Sequence, residues 1–176
     1  MKSNFPKALS FTLGHEGLWS DDPDDPGGAT MHGITLKTYR EVAGSHQTKE
    51  SLLHIMPNEV SSIYHTRYWN AVRGDNLPNG LDICVFDFGV NSGPGTAIKA
   101  LQKLAGAKVD GSIGPLTLEA VIVWVGKVNI KQAIGIYQQL RMTRLQGLPT
   151  FASTARVGPP GSTTLPLSPM CCLIRS

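Results

Sequence analysis

Leu81-Asp82-Ile83-Cys84-Val85-Phe86-Asp87-Phe88-Gly89-Val90 decides the fold. Its apolar residues fall on every side of a helical wheel rather than on one stripe. A helix apolar all round is one that other elements enclose, so this segment is predicted to be the central buried helix. A chain of 176 residues has the length of one domain and can bury a real core.

The pattern on either side supports a mainly helical α+β chain. Asn91-Ser92-Gly93-Pro94-Gly95 breaks the central helix, and the next one is predicted to run through Leu104. Asp110-Gly111 marks a turn. A helix is expected from Pro115 to about Val125, then a last one from Ile130 to about Leu148 with Asn129 and Gln132 as its cap. On the N-terminal side, Phe5, Ala8, Leu9, Thr12, Leu13 and Glu16 share one helical face, predicting a helix from about Phe5 to Gly17. Residues Trp19 to Gly28 are expected to be loop, Ala29 to Thr35 a short β-ribbon, and Leu36 to Val42 a helix ending at Gly44. Pro57 opens a helix with Val60, Ile63, Tyr64, Arg67 and Tyr68 on one face. From Thr150 onward the chain is rich in Ser, Thr, Pro and Gly, has two Arg and no acid, and is expected to pack poorly.

Charge and cysteine usage narrow the function. Sixteen Lys plus Arg against thirteen Asp plus Glu leave +3, which suits an anionic polymer. The basic residues are scattered rather than clustered, so nucleic acid is not expected. No apolar run approaches the roughly 20 residues of a membrane span, and no secretory leader is read at the N-terminus. The expected site of synthesis is the cytoplasm, with delivery to the periplasm or cell wall by another route. The three cysteines suggest no disulfide framework. Cys84 reads as core, and the adjacent Cys171 and Cys172 are too close for an ordinary disulfide.

Glu16 is the most informative polar residue. It ends a helix on the apolar face, where loss of water raises a carboxyl pKa toward the range a general acid needs. On position alone, a buried Glu held by an ion pair is an equal reading. Asp21, Asp22, Asp24 and Asp25 follow in a loop that can return a second carboxylate, the partner glycoside hydrolysis requires. A solvated acidic turn is the alternative, and the spacing lacks the Gly and terminal Glu of an EF-hand. His15 and His32 fit a polar cleft better than a metal site, since no paired-His motif or Cys-x-x-Cys is present. No Gly-x-Ser-x-Gly elbow is present for a nucleophilic serine. Trp19, Tyr39, Tyr68 and Trp69 carry rings that can stack on sugars, though aromatics at helical spacing are more often core. Trp19 is favoured among them because it lies in the acidic loop.

With these residues in view, the sequence resembles the N-acetylmuramidases of glycoside hydrolase family 108, known from phage endolysins and bacterial secretion-associated muramidases. The resemblance rests on Ala8 to Gly17, Asp25-Pro26-Gly27-Gly28-Ala29-Thr30, Gly33-Ile34-Thr35, Tyr68-Trp69, Gly74 to Pro78, and Phe86 to Gly93. Asp110-Gly111-Ser112-Ile113-Gly114-Pro115-Leu116-Thr117 is similar to a wall-binding submotif of such enzymes.

The resemblance implies a lysozyme-like fold with a β-ribbon near the active site. It implies a catalytic part over 1–105, a peptidoglycan-binding-like helical part over 106–150, and an atypical tail over 151–176. It assigns the catalytic acid to Glu16, with Asp25 and Thr30 as base and water-positioning residue. Four residues separate Asp25 from Thr30, slightly fewer than in phage-type lysozymes, which leaves Asp22 and Asp24 as rivals to Asp25. The substrate-binding set is His15, Trp19, His32, Tyr39 and Asn91. No cofactor or metal is expected, the partner is peptidoglycan, and a monomer is expected. The family continues past the last helix with an aromatic and basic segment. The Pro- and Ser-rich end found here reads instead as a frame-shifted or truncated tail. Two rival functions remain: a lytic transglycosylase using the same acid, and a non-catalytic wall-binding module.

Overall fold

The computed structural model describes residues 3–14, 19–21 and 28–146, and its centre is the helix Leu81–Ser92, whose first nine residues are all buried. In chain order the elements are α1 (Phe5–Leu13), β1 (Trp19–Ser20), β2 (Thr30–Met31), β3 (Ile34–Thr35), α2 (Leu36–Ala43), α3 (Lys49–Leu53) and α4 (Pro57–Tyr64). A π-turn (His65–Trp69) and a 3₁₀ turn (Gly74–Asn76) follow. Then come α5 (Leu81–Ser92), α6 (Pro94–Ala105), α7 (Pro115–Val128) and α8 (Ile130–Gln146). The protein is α+β and mainly helical, as the sequence predicts. Among the described residues, no helix is long and apolar enough to cross a membrane.

The strands form one antiparallel sheet in the order β1-β2-β3. Trp19 pairs with Met31, Ser20 with Thr30, and Thr30 in turn with Thr35. The ribbon predicted over Ala29 to Thr35 is therefore present, anchored by the buried Ala29 and Ile34. Trp19-Ser20 departs from expectation. It is strand rather than loop, because pairing with Met31 and Thr30 supplies an order that no local pattern announces. Helix α3 was not predicted either. It is five residues long, and a reciprocal Thr48–Ser51 cap holds its start. At the other end of the chain, the expected cap of α8 is present, with Gln132 N donating to Asn129 Oδ1 at 3.0 Å.

Helix α5 packs against α1, α6 and α8, and one hydrophobic cluster runs from Phe5 to Tyr137. An aromatic group forms its N-terminal side. The Trp69 ring lies 5.6 Å from both Phe5 and Phe86, and its indole N–H donates to Asp75 Oδ1 at 3.1 Å. Gly74 closes against that indole. A Cβ there would sit 2.3 Å from the ring, so no other residue fits. On the opposite side, the buried Gln102 amide fixes the Asp110-Gly111 turn. It donates to Asp110 Oδ1 and to the Ser112 carbonyl, and accepts from Gly111 N. Cys84 is core as expected, with burial pushing its thiol up to about 12.

Asp82 caps the start of α5. Its Oδ1 accepts from Gly80 N and Ile83 N, and its Oδ2 from Asn4 Nδ2 at 2.8 Å. Burial outweighs these donors and raises its pKa above the ordinary 3.8. A carboxyl raised on folding contributes stability at low pH and loses it as pH rises through the folded value. The stability of the parent relative to Asp82→Asn, followed by thermal melts from pH 3 to pH 7, is therefore expected to fall as pH rises above about 4. A constant difference across that range would contradict this.

Candidate active site

Two short stretches frame the site. Helix α1 turns its Phe5, Ala8 and Thr12 into the core and closes at Gly14, whose N–H reaches the Ser10 carbonyl. The chain reappears at Trp19 in β1, already paired with the β2–β3 hairpin. Of the residues predicted for the site, His15, Glu16 and Asp25 lie outside the described residues, as do Asp22 and Asp24. Trp19, Thr30, His32, Tyr39 and Asn91 are described.

Trp19, Thr30 and His32 lie on one small sheet. Trp19 pairs with Met31 and Thr30 with Ser20, so the Trp19 and Thr30 side chains leave it on opposite faces, and His32 is at the hairpin tip. Trp19 is 37% exposed, enough to offer a ring face. Thr30 is half-buried, and its hydroxyl donates to the Gly28 carbonyl at 3.1 Å. His32 and Gly33 form the hairpin's two-residue tip, with φ of 49° and 72°. Positive φ at both positions is the pattern of a type I′ turn, whose twist matches the flanking strands. The Tyr64 hydroxyl reaches across from the end of α4 and donates to the His32 carbonyl at 2.8 Å.

Asn91 stands apart on α5, exposed, with its amide donating to the Asp87 carbonyl one turn earlier at 2.7 Å. Tyr39 is a correction. It is 3% exposed, and its hydroxyl donates to Glu59 at 3.0 Å. Burial and that bond raise its pKa. Its place on the inner face of α2 makes it a core residue with no ring face left for a sugar. Tyr68 is half-buried and Trp69 fully buried.

Two features of the site were not foreseen. Lys49, at the start of α3, holds both oxygens of Asp21 at 2.8 and 3.1 Å, which pins the beginning of the acidic loop. The capping pair at Thr48 and Ser51 was the available signal for α3. Below the end of α1, Asp87 of α5 accepts from Arg141 of α8 at 2.5 Å and, more weakly, from the Thr12 hydroxyl at 3.4 Å. Partners so distant in sequence leave no local signal.

A family model described as Glycosyl hydrolase 108 matches residues 9–93, from α1 through the end of α5. The structure of Brucella abortus SagA is similar over most of both chains. It shares 39% identity with a TM-score of 0.74, and the match covers 86% of this chain and 85% of that one. The chain belongs to glycosyl hydrolase family 108. It is a glycoside hydrolase with a lysozyme-like α+β fold. Among curated proteins, none matches it. The family match contains the α1 end, the acidic loop, the hairpin and α5. The likeness to SagA extends over most of the rest, so the helices beyond Gly93 belong to the shared architecture as well.

Proposed function

We propose that this family 108 hydrolase cuts the β-1,4 bond between N-acetylmuramic acid and N-acetylglucosamine in bacterial peptidoglycan. Glu16 protonates the leaving oxygen. Asp25 directs a water or stabilises the positively charged sugar ring, and Thr30 holds that water. His15, Trp19, His32 and Asn91 contact the glycan, and Tyr39 is left out of this set because it is core.

The observation that carries this reading is the three-stranded sheet. Glu16 is three residues before Trp19 in β1, and Asp25 is five residues before Thr30, where β2 begins. In sequence both carboxylates therefore adjoin the sheet, and an inverting glycosidase pairs two carboxylates roughly 6.5–9.5 Å apart. The half-exposed Trp19 offers the kind of flat apolar face on which a sugar ring rests. The mild net charge of +3 suits an anionic wall polymer.

Mass spectrometry of the soluble fragments released from purified peptidoglycan tests the proposal. Fragments ending in reducing N-acetylmuramic acid are expected. Anhydro ends would move the assignment to a lytic transglycosylase, and reducing N-acetylglucosamine ends would place the cut at the other glycosidic bond.

A further inference from the structure

The tip of the active-site hairpin is occupied by a residue its geometry does not favour. A type I′ turn takes Asn-Gly or Gly-Gly most readily, because both central residues need positive φ. Here the first is His32 at φ 49°. A histidine visits that region more readily than most side chains, but at a steric cost that glycine escapes and asparagine offsets. Residues kept in sparsely populated backbone regions persist when the surroundings hold them there, and they gather at functional sites.

The surroundings do hold this one. Tyr64 is 1% exposed, and its hydroxyl bonds the carbonyl of His32 itself, 32 residues away in sequence. A buried phenol needs a polar partner, and here the carbonyl at the strained position accepts from it. The Tyr64 ring is in turn fixed by Tyr68, at 5.4 Å between centroids, and by Phe86 of the central helix at 6.4 Å. The hairpin tip is therefore tied through one side chain to the buried central helix. His32 itself is half-buried, with part of its surface open.

We propose that Tyr64 is a positioning residue for the glycan site: its hydroxyl holds His32 in the left-handed conformation, so that an imidazole occupies a turn position better suited to asparagine. The imidazole's role is to hydrogen-bond a hydroxyl or acetamido group of the sugar. This inference rests on the glycan-cleaving reading above.

The test uses the full chain with Tyr64→Phe, His32→Asn and the double variant. Two measurements are made: the ¹³Cα and ¹³Cβ shifts of residue 32, which report its backbone conformation, and release of fragments from peptidoglycan. Tyr64→Phe is expected to move the residue-32 shifts away from positive-φ values and to lower turnover on the order of tenfold. His32→Asn is expected to keep those shifts and melt no lower than the parent, yet lose turnover to a similar extent. Adding Tyr64→Phe to His32→Asn should cost no further turnover, because an Asn-Gly turn needs no clamp. Unchanged shifts in Tyr64→Phe would overturn the inference, as would a further loss in the double variant. If the parent itself releases no fragments, it is the proposed function that fails. The shifts, with a titration of the His32 ring signals by a β-1,4-linked N-acetylglucosamine tetramer, then decide the positioning role separately.

Discussion

Glu16→Gln should fold like the parent and lose glycan turnover by about 10²–10⁴-fold, the usual contribution of a general acid. Glutamine keeps the shape of the side chain and its capacity for hydrogen bonds, but has no carboxyl proton to give. The leaving sugar oxygen must then depart as an alkoxide or await a proton from water. The loss should fall on kcat more than on KM, because protonation matters in the transition state and little in binding. Thermal melting should stay close to that of the parent. Release of reducing ends from purified peptidoglycan, together with a pull-down on the insoluble wall, separates the two effects. Turnover within tenfold of the parent would remove Glu16 from the role of acid. Among its rivals, a binding module predicts no turnover in either protein.

The second large effect belongs to stability. Asp87 is 5% exposed and Arg141 9% exposed, and they meet at 2.5 Å where α1, α5 and α8 converge. Arg141 also lies over the Phe88 ring, 5.6 Å from its centroid. Among the described residues its Nε–H has no acceptor. Removing one member of such a pair strands the other charge in a region of low polarity, at a cost of about 3–5 kcal/mol. Arg141→Met should therefore lower the denaturation midpoint sharply and increase fraying of α8. Replacing both members, with Asp87→Leu and Arg141→Met, should cost far less than Arg141→Met alone. A loss below about 1 kcal/mol for the single variant would contradict this account, and so would equal losses in the single and double variants.

The parts of this fold legible in the sequence were those with a local cause. The all-round apolar character of Leu81 to Val90 required burial, and the Asn129 side chain capped the helix it preceded. The short β-ribbon over Ala29 to Thr35 was legible as well, though not its register or its third strand. What escaped notice depends on distant partners. Trp19-Ser20 is a strand only because Met31 and Thr30 lie beside it. Asp87 and Arg141 are 54 residues apart, and nothing near either announces the other. Tyr39 was misjudged for the same reason. An aromatic at helical spacing is more often core, and the packing around Tyr39 with its bond to Glu59 shows that it is. The acid was read from Glu16 at the end of an apolar face and then from family likeness. The positioning bond from Tyr64 joins two backbone neighbourhoods no sequence pattern relates.

The π-turn at His65–Trp69 has a mechanical consequence for that bond. In an α-helix five residues sweep about 500°, which would leave Trp69 roughly 140° around the axis from Tyr64. A turn closed by a bond from Asn70 N to the His65 carbonyl, five residues back, winds more loosely and brings residue i+5 closer to the side of residue i than an α-helix does. Tyr64 and Trp69 both reach Phe86, at 6.4 and 5.6 Å between ring centroids. The Tyr64 hydroxyl bonds the hairpin tip, and Trp69 is wedged between Phe5 and Gly74. The widened turn acts as a spacer: the length of the chain between these two rings, as much as their identity, sets where the hairpin tip stands.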